Sequence, residues 1–179
     1  MLKKELVIVR PIELTDAAAY LHYTQQPEVY VPAAVIPPLN VAAARTRLQE
    51  FVGGDQMYAI VLPESGQMIG DVGIYYRIAE DGGDDPQHRE LGYELDPQFW
   101  GHGYATAALA RILSLAFEKQ GVARIKADVY VDNVVSLHLL QKFGFREATR
   151  GVHLPPALQQ HQTALSEQFL DRTDWLKQH

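Results

Sequence analysis

The chain has 179 residues, a net charge of −6 at pH 7 and no cysteine. A domain of this length buries roughly 70% of its unfolded surface and needs no disulfide or structural metal, and the missing cysteines exclude disulfides, cysteine-bound zinc and a cysteine nucleophile. The acidic balance argues against general nucleic-acid binding and no apolar run approaches the ~18 residues of a membrane span, so we expect one cytoplasmic domain over residues 1–179, without nucleic-acid or membrane partners.

The first half of the chain alternates strand and helix patterns. β-branched residues predict strands, and turn-like or glycine-containing segments mark where helices begin and end. Four prolines in residues 26–40 argue against regular structure there. In chain order the predicted elements are a strand at 6–12, a helix to about 23, a helix at 41–51, and strands at 57–62 and 68–76 joined by a hairpin turn at 63–66.

The second half carries the longest helix, which is apolar on most sides and therefore buried. Asp132 or Asn133 caps the helix after it. This order predicts an α/β (mixed α+β) domain with a mostly antiparallel mixed sheet of about six or seven strands and about four helices. The elements are an acidic loop at 79–87, a strand at 90–95, a helix at 103–120, a strand at 124–131, a helix to 143, and strands at 145–151 and within 165–175.

A strand followed by Gly101-x-Gly103 and then a helix is a geometry that binds anions. The first turn of a helix has free N–H groups and partial positive charge, and glycine leaves the backbone open to a phosphate oxygen. The loop lacks the lysine of a P-loop. A dinucleotide fold is disfavoured because Thr106 stands where a third glycine is expected, although Asp128 lies where a ribose-binding acid would be.

Further motifs occur in a fixed order along the chain. They are Gln26-Pro27-Glu28-Val29, Leu91-Gly92-Tyr93-Glu94-Leu95, the segment from Trp100 to Thr106, Asn133-x-x-Ser136, Lys142-Phe143-Gly144-Phe145, and Trp175. Together they resemble the GNAT acetyltransferase superfamily, and within it the Rim-type branch that acetylates ribosomal-protein N-termini and various small amines. The resemblance covers nearly the whole chain and is interrupted at residues 153–166, which look like an insertion.

The resemblance implies a single GNAT-like domain whose fourth and fifth strands splay apart at a bulge, for which Gly92 is suitable. It implies acetyl-CoA as cosubstrate and no metal. The pyrophosphate would lie on the loop, and the backbone of the fourth strand would pair with the pantetheine amides. The implied binding residues are Tyr93, Glu94, Leu95, Trp100, Gly101, His102, Gly103, Tyr104, Ala105, Thr106, Asn133, Ser136 and Lys142.

The implied reaction is direct attack of an amine on the thioester. An α-amino group has a pKa near ~8, so a base is needed at neutral pH. Glu90 is the favoured base, and Glu94 and His88 are the alternatives. The tyrosine that many relatives use as an acid is replaced by Leu140, so Ser136 is the expected partner of the departing sulfur.

The expected acceptor is a primary amine, on a small molecule or a protein N-terminus, and a homodimer is among the expected assemblies. Two other functions stay open at this point. The missing tyrosine leaves room for a sensor that binds acyl-CoA without chemistry, and the glycine loop leaves room for a nucleotide-dependent enzyme.

Overall fold

The computed structural model describes residues 5–33, 35–79, 81–153 and 164–178. The chain forms two compact units. Unit 1 contains Met1–Gly73 and Gly92–Leu113, and unit 2 contains Ile74–Leu91 and Ser114–His179. Within the described ranges, no helix combines the length and apolar character needed to cross a membrane.

The strands form a seven-stranded mixed sheet in the hydrogen-bonded order β1-β2-β3-β4-β5-β7-β6. Their bounds are β1 Ile8–Pro11, β2 Met57–Val61, β3 Met68–Ile78, β4 Asp84–Leu95, β5 Arg124–Tyr130, β6 Arg146–His153 and β7 Ala164–Asp171.

The described residues form six α-helices. They are α1 Ala17–Thr24, α2 Pro27–Ala33, α3 Val41–Gln49, α4 Tyr104–Ser114, α5 Val134–Lys142 and α6 Arg172–Gln178. Short 3-10 turns cover Leu14–Asp16 and Pro97–Phe99, and a π-helical turn at Leu115–Lys119 follows α4.

Unit 1 is built on the antiparallel pairing of β1 with β2 and of β2 with β3. Every residue of β2 is buried, as expected for an apolar strand covered on both faces. β3 then comes unusually close to β4 at Gly70. A Cβ atom there would overlap the carbonyl oxygen of Glu94 and lie 3.0 Å from the Cα atom of Leu95, so only glycine fits.

Unit 2 contains the parallel pairing of the sheet. His88, Arg89 and Glu90 of β4 pair with Arg124, Ile125 and Lys126 of β5. β5 also pairs antiparallel with β7 along its whole length, and β7 pairs with β6. In the core of this unit, Trp175 of α6 contacts Phe117 and Phe143, with ring centroids 5.8 Å and 6.4 Å apart.

The fold class and most predicted elements are confirmed. The helix predicted at 41–51 is α3, and the hairpin turn at 63–66 closes with a hydrogen bond of 2.9 Å from Gly66 N to Leu62 O. Gly66 has a φ of +70°, a conformation that favours glycine. The long helix predicted at 103–120 is regular only to Ser114 and ends in the π-helical turn.

Two predictions about elements were wrong. Residues 26–40 contain α2, because Pro27 occupies the first helical position, where the missing N–H is tolerated. The loop predicted at 79–87 is shorter, since β4 begins at Asp84. The strand expected within 165–175 is confirmed as β7, which ends at Asp171 and is followed by α6, and the described residues contain six helices where about four were expected.

The insertion predicted at 153–166 falls mostly on residues 154–163, which lie outside the described residues. Its two ends belong to the sheet instead, since β6 runs to His153 and β7 begins at Ala164.

Candidate functional site

The predicted phosphate loop in unit 1 is fastened to the end of β4. The Asp96 side chain accepts a hydrogen bond of 3.0 Å from Gln98 N, which caps the Pro97–Phe99 turn. The indole Nε1 of Trp100 donates a hydrogen bond of 2.8 Å to the carbonyl oxygen of Leu95. The structure therefore brings Leu95 and Trp100, both predicted site residues, into direct contact.

The two loop glycines leave the backbone open. Gly101 and Gly103 have φ values of +78° and +81°, and a Cβ atom added to either would meet no atom within 4 Å. Helix α4 begins at Tyr104, directly after Gly103. The free N–H groups of its first turn therefore lie beside exposed backbone, and this arrangement fits a phosphate or pyrophosphate group.

Aromatic contacts fix the shape of the loop. The Nδ1 atom of His102 lies 2.8 Å from the carbonyl oxygen of Trp100, and its ring stacks on Tyr104 with centroids 5.6 Å apart. Phe99 packs edge-on against Tyr104 at 6.4 Å. Trp100 itself is 48% exposed, so its indole holds the loop while leaving surface for a ligand.

Unit 1 also contains a cluster of buried polar groups beside β4, formed by Tyr23, Asp71 and Glu94. The hydroxyl of Tyr23 on α1 donates a 2.5 Å hydrogen bond to Asp71 on β3. Both residues are buried. Glu94 of β4 is half-buried, and its Oε2 atom is buried with no hydrogen-bond partner among the described residues.

Burial disfavours the charged form of both carboxyl groups. It raises the pKa of Asp71 to about 7, although the hydrogen bond from Tyr23 acts in the opposite direction. Burial and the nearby charge of Asp71 raise the pKa of Glu94 well above its ordinary value, and Arg47 on α3 partly opposes this.

The two other candidate bases lie in unit 2 and have more exposed side chains than Glu94, although the carboxyl group of Glu90 is partly shielded. The pKa of Glu90 is raised by partial burial and by the charge of Asp128, and it is lowered by Lys126 and Arg77. His88 is paired with Asp85, its Nδ1 atom lying 2.7 Å from Oδ2.

The predicted residues of α5 are also in unit 2. The Oδ1 atom of Asn133 accepts a 3.2 Å hydrogen bond from Ser136 N, so the predicted N-cap is confirmed. Ser136 is half-buried, and its hydroxyl takes no part in this cap. Lys142 is exposed in the last turn. Leu140, which stands where the family resemblance led us to expect a tyrosine, is fully buried.

A family model described as acetyltransferase (GNAT) domain matches residues 7–146. The chain belongs to this GNAT family. It is an N-acetyltransferase, as its relatives also are by name. It is 28% identical over 148 residues to the uncharacterized N-acetyltransferase p20 of Bacillus licheniformis, covering 80% of each chain. It is 25% identical over 146 residues to the L-amino acid N-acetyltransferase AaaT of Escherichia coli, covering 78% of this chain and 82% of that one.

Solved GNAT structures share the fold. A spermidine N-acetyltransferase from Vibrio cholerae, in complex with CoA and spermine, superposes with a TM-score of 0.82 at 15% identity, covering 97% of this chain and 99% of that chain. A GNAT acetyltransferase from Bacillus anthracis superposes with a TM-score of 0.81 at 18% identity, covering 96% and 98%.

Sequence reasoning missed two members of the buried polar cluster of unit 1, Tyr23 and Asp71. Asp71 offered a signal, since it is a lone carboxylate in the apolar run Met68–Ile78. Tyr23 offered none, because it meets Asp71 across 48 positions of sequence. In the described residues, no group of three or more His, Cys, Asp and Glu side chains could hold a metal ion.

The raised pKa of Asp71 predicts how stability depends on pH. A carboxyl group with a higher pKa in the folded state stabilises the fold fully below its unfolded pKa, which is near ~4. That contribution is lost as the pH rises through about 7. We therefore expect the free energy of unfolding to fall between about pH 4 and pH 7 and to level off above, by at most ~1.4 kcal/mol per pH unit for one group.

Urea unfolding in matched buffers measures this decline. Asp71→Asn keeps an oxygen that can accept from Tyr23 and should flatten the curve, whereas Glu50→Gln, which changes an exposed carboxylate on the same unit, should leave its slope unchanged. Parallel curves for wild type and Asp71→Asn would contradict the prediction.

Proposed function

We propose that the protein transfers an acetyl group from acetyl-CoA to a primary amine by direct attack of the amine. The observation that carries this proposal is the open backbone of Gly101 and Gly103 before α4, which suits the pyrophosphate of CoA. Bound acetyl-CoA supplies the activated acetyl carbon as a thioester. GNAT membership supports this cosubstrate.

In unit 1, the amides from Gly101 to Thr106 would hold the pyrophosphate, and the backbone of Tyr93 to Leu95 would pair with the pantetheine. In unit 2, the family resemblance assigns Asn133, Ser136 and Lys142 to cosubstrate binding. The exposed ammonium group of Lys142 carries the charge that suits a phosphate.

The acceptor proposed is an α-amino group. AaaT is by name an L-amino acid N-acetyltransferase, and the Rim-type branch acetylates protein N-termini, so both point to an amine of this kind. An α-amino group is mostly protonated at neutral pH. The chain must therefore supply a base, for which Glu90 is the candidate from sequence, and Ser136 would contact the departing sulfur.

The first test concerns cosubstrate binding. Acetyl-CoA at a hundredfold excess over its Kd should stabilise the fold by about 2.7 kcal/mol, raising its Tm. Gly103→Asp should abolish this increase, because a carboxylate would repel the pyrophosphate. Gly82→Asp is the matched control, since Gly82 has a similar φ of +84° and equal freedom from neighbouring atoms. A folded Gly103→Asp protein with the full Tm increase would remove the loop from the proposal.

The second test identifies the acceptor. The protein is incubated with acetyl-CoA and a panel of L-amino acids, short peptides with free N-termini, and polyamines, while free thiol is measured. We expect thiol release with α-amino acceptors and only background with the same peptides acetylated in advance. Binding of acetyl-CoA without thiol release for any amine would favour the sensor function instead.

The third test concerns Ser136. The cap of α5 uses the Ser136 backbone and the Asn133 side chain, so Ser136→Ala should change stability by less than about 0.5 kcal/mol. If the hydroxyl contacts the departing sulfur, kcat should fall while the Tm increase from acetyl-CoA persists. Asn133→Ala is the comparison and should cost about 1 kcal/mol through the lost cap. Unchanged kcat in Ser136→Ala would exclude a catalytic role for the hydroxyl.

A further inference from the structure

Asp71 and Glu94 occupy neighbouring positions on β3 and β4. The carbonyl oxygen of Ile69 accepts a 2.8 Å hydrogen bond from Asp96 N, and Gly70 lies against Glu94 and Leu95. Because Gly70 lies against Leu95, the residue after Gly70 on β3, which is Asp71, lies beside the residue before Leu95 on β4, which is Glu94. Cross-strand neighbours of this kind have Cβ atoms about 4.5–5.5 Å apart, close enough for their charges to interact.

The Oε2 atom of Glu94 requires a physical explanation. It is buried and has no hydrogen-bond partner among the described residues. Buried polar atoms of native proteins are nearly always paired, and leaving one unpaired is costly. Asp71 differs, because it receives the hydroxyl of Tyr23. Glu94 is thus the member of the pair with an unsatisfied oxygen, and its side chain as a whole is only half-buried.

The groups that face this pair neutralise its charge only in part, since Arg47 lowers the pKa of Glu94 less than burial and Asp71 raise it. Tyr20 and Tyr23 face it from α1, and burial raises the pKa of both hydroxyls, so both stay neutral. From β2, the residue paired with Asp71 is Ala59. Arg47 of α3 is the facing cation, and its guanidinium donates a 2.7 Å hydrogen bond to the carbonyl oxygen of Ile36.

Resting on the proposed function, we infer that Glu94 takes the proton from the ammonium group of the acceptor, and that Asp71, held by Tyr23, is the positioning residue whose charge acts on Glu94. Efficient general bases have pKa values near the working pH. An ordinary exposed glutamate near ~4.3 is too weak a base. Burial and the charge of Asp71 both move Glu94 toward the pKa of an amine.

The location of Glu94 fits this role better than that of Glu90. Glu94 immediately precedes Leu95, whose carbonyl oxygen binds the indole of Trp100, so it lies at the point where the phosphate loop is fastened. Glu90 is exposed, and it faces Lys126, which is already paired with Asp128 at 3.1 Å and Glu167 at 2.7 Å.

The proton balance closes without any further reactant. One ammonium N–H bond breaks, its electron pair stays on nitrogen, and the proton moves to the carboxylate of Glu94. The neutral nitrogen forms the new C–N bond at the thioester carbon while the C–S bond breaks with its electron pair on sulfur. A second proton from nitrogen goes to the thiolate, and Glu94 returns its own proton to solvent.

The experiment is the pH dependence of kcat/KM with one fixed acceptor. Asp71→Asn preserves the size of the side chain and an acceptor oxygen for Tyr23 but removes the charge. We therefore expect the acidic limb of the kcat/KM profile to move to lower pH by about one unit. Glu94→Gln should lower kcat by about 10²–10⁴-fold at pH 7. Glu50→Gln, the matched exposed control, should leave the limb in place. A purely structural role of Asp71 would lower activity at every pH without moving the limb, which would overturn the inference.

A second readout needs no acetyl-CoA. The side-chain carboxyl carbons are labelled with ¹³C and titrated by NMR in the free protein. We expect the midpoint of Glu94 to lie above the ordinary glutamate value and to fall in Asp71→Asn. Tyr23→Phe is a second variant for the case that Asp71→Asn folds poorly. It removes the hydrogen bond that favours ionised Asp71, so the midpoint of Glu94 should shift in the same direction but by less. Midpoints unaffected by either variant would overturn the inference.

These outcomes separate the inference from the proposed function. If the wild type releases no thiol with any amine, the proposed function fails, whereas the NMR titration still decides whether Asp71 acts on Glu94. If the enzyme is active but Glu90→Gln, rather than Glu94→Gln, removes the acidic limb, the proposed function stands and Glu94 is not the base.

Discussion

The close approach of β3 to β4 at Gly70 is the constraint on which the candidate site of unit 1 depends. No side chain fits there, and the approach lets Asp96 N bond to Ile69 O. Asp96 in turn caps the turn that leads into the phosphate loop. The indole of Trp100 then donates a hydrogen bond to the carbonyl oxygen of Leu95. One missing Cβ atom thus fixes where β4 ends, where the loop begins, and which side chains of the two strands become neighbours.

The same approach places the residues of two proposed functions, which have different physical requirements, at the end of β4. Binding an anion requires exposed backbone amides, which Gly101 and Gly103 leave open at the surface. Accepting a proton near neutral pH requires a carboxyl group whose pKa is raised, and for Glu94 burial and the charge of Asp71 raise the pKa more than Arg47 lowers it. A strand that ends in a glycine loop satisfies both requirements within a few residues, because its last side chains are still covered while the following backbone is exposed.

Much of this GNAT fold could be predicted from sequence, and the errors have physical causes. The helix at Val41–Gln49 and the Asn133 cap depend on local periodicity and local hydrogen bonds. The prolines of α2 were misread as breakers, although the first helical turn tolerates Pro27. Helix α6 follows its strand because Trp175 packs on Phe117 and Phe143, contacts that no local pattern contains.

The sequence by itself determined the family, the glycine loop and the identity of the candidate carboxylates, because motifs and turn chemistry are local. Only the tertiary structure decided which carboxylates are desolvated. Glu90 and Glu94 have the same side chain on the same strand, yet one is exposed and the other has a buried oxygen. The charge of Asp71, which lies on β3 and is bonded to Tyr23, acts on Glu94, whereas the charges of Asp128, Lys126 and Arg77 act on Glu90. Burial and long-range charge set the pKa of a carboxyl group, and neither can be read from its sequence neighbours.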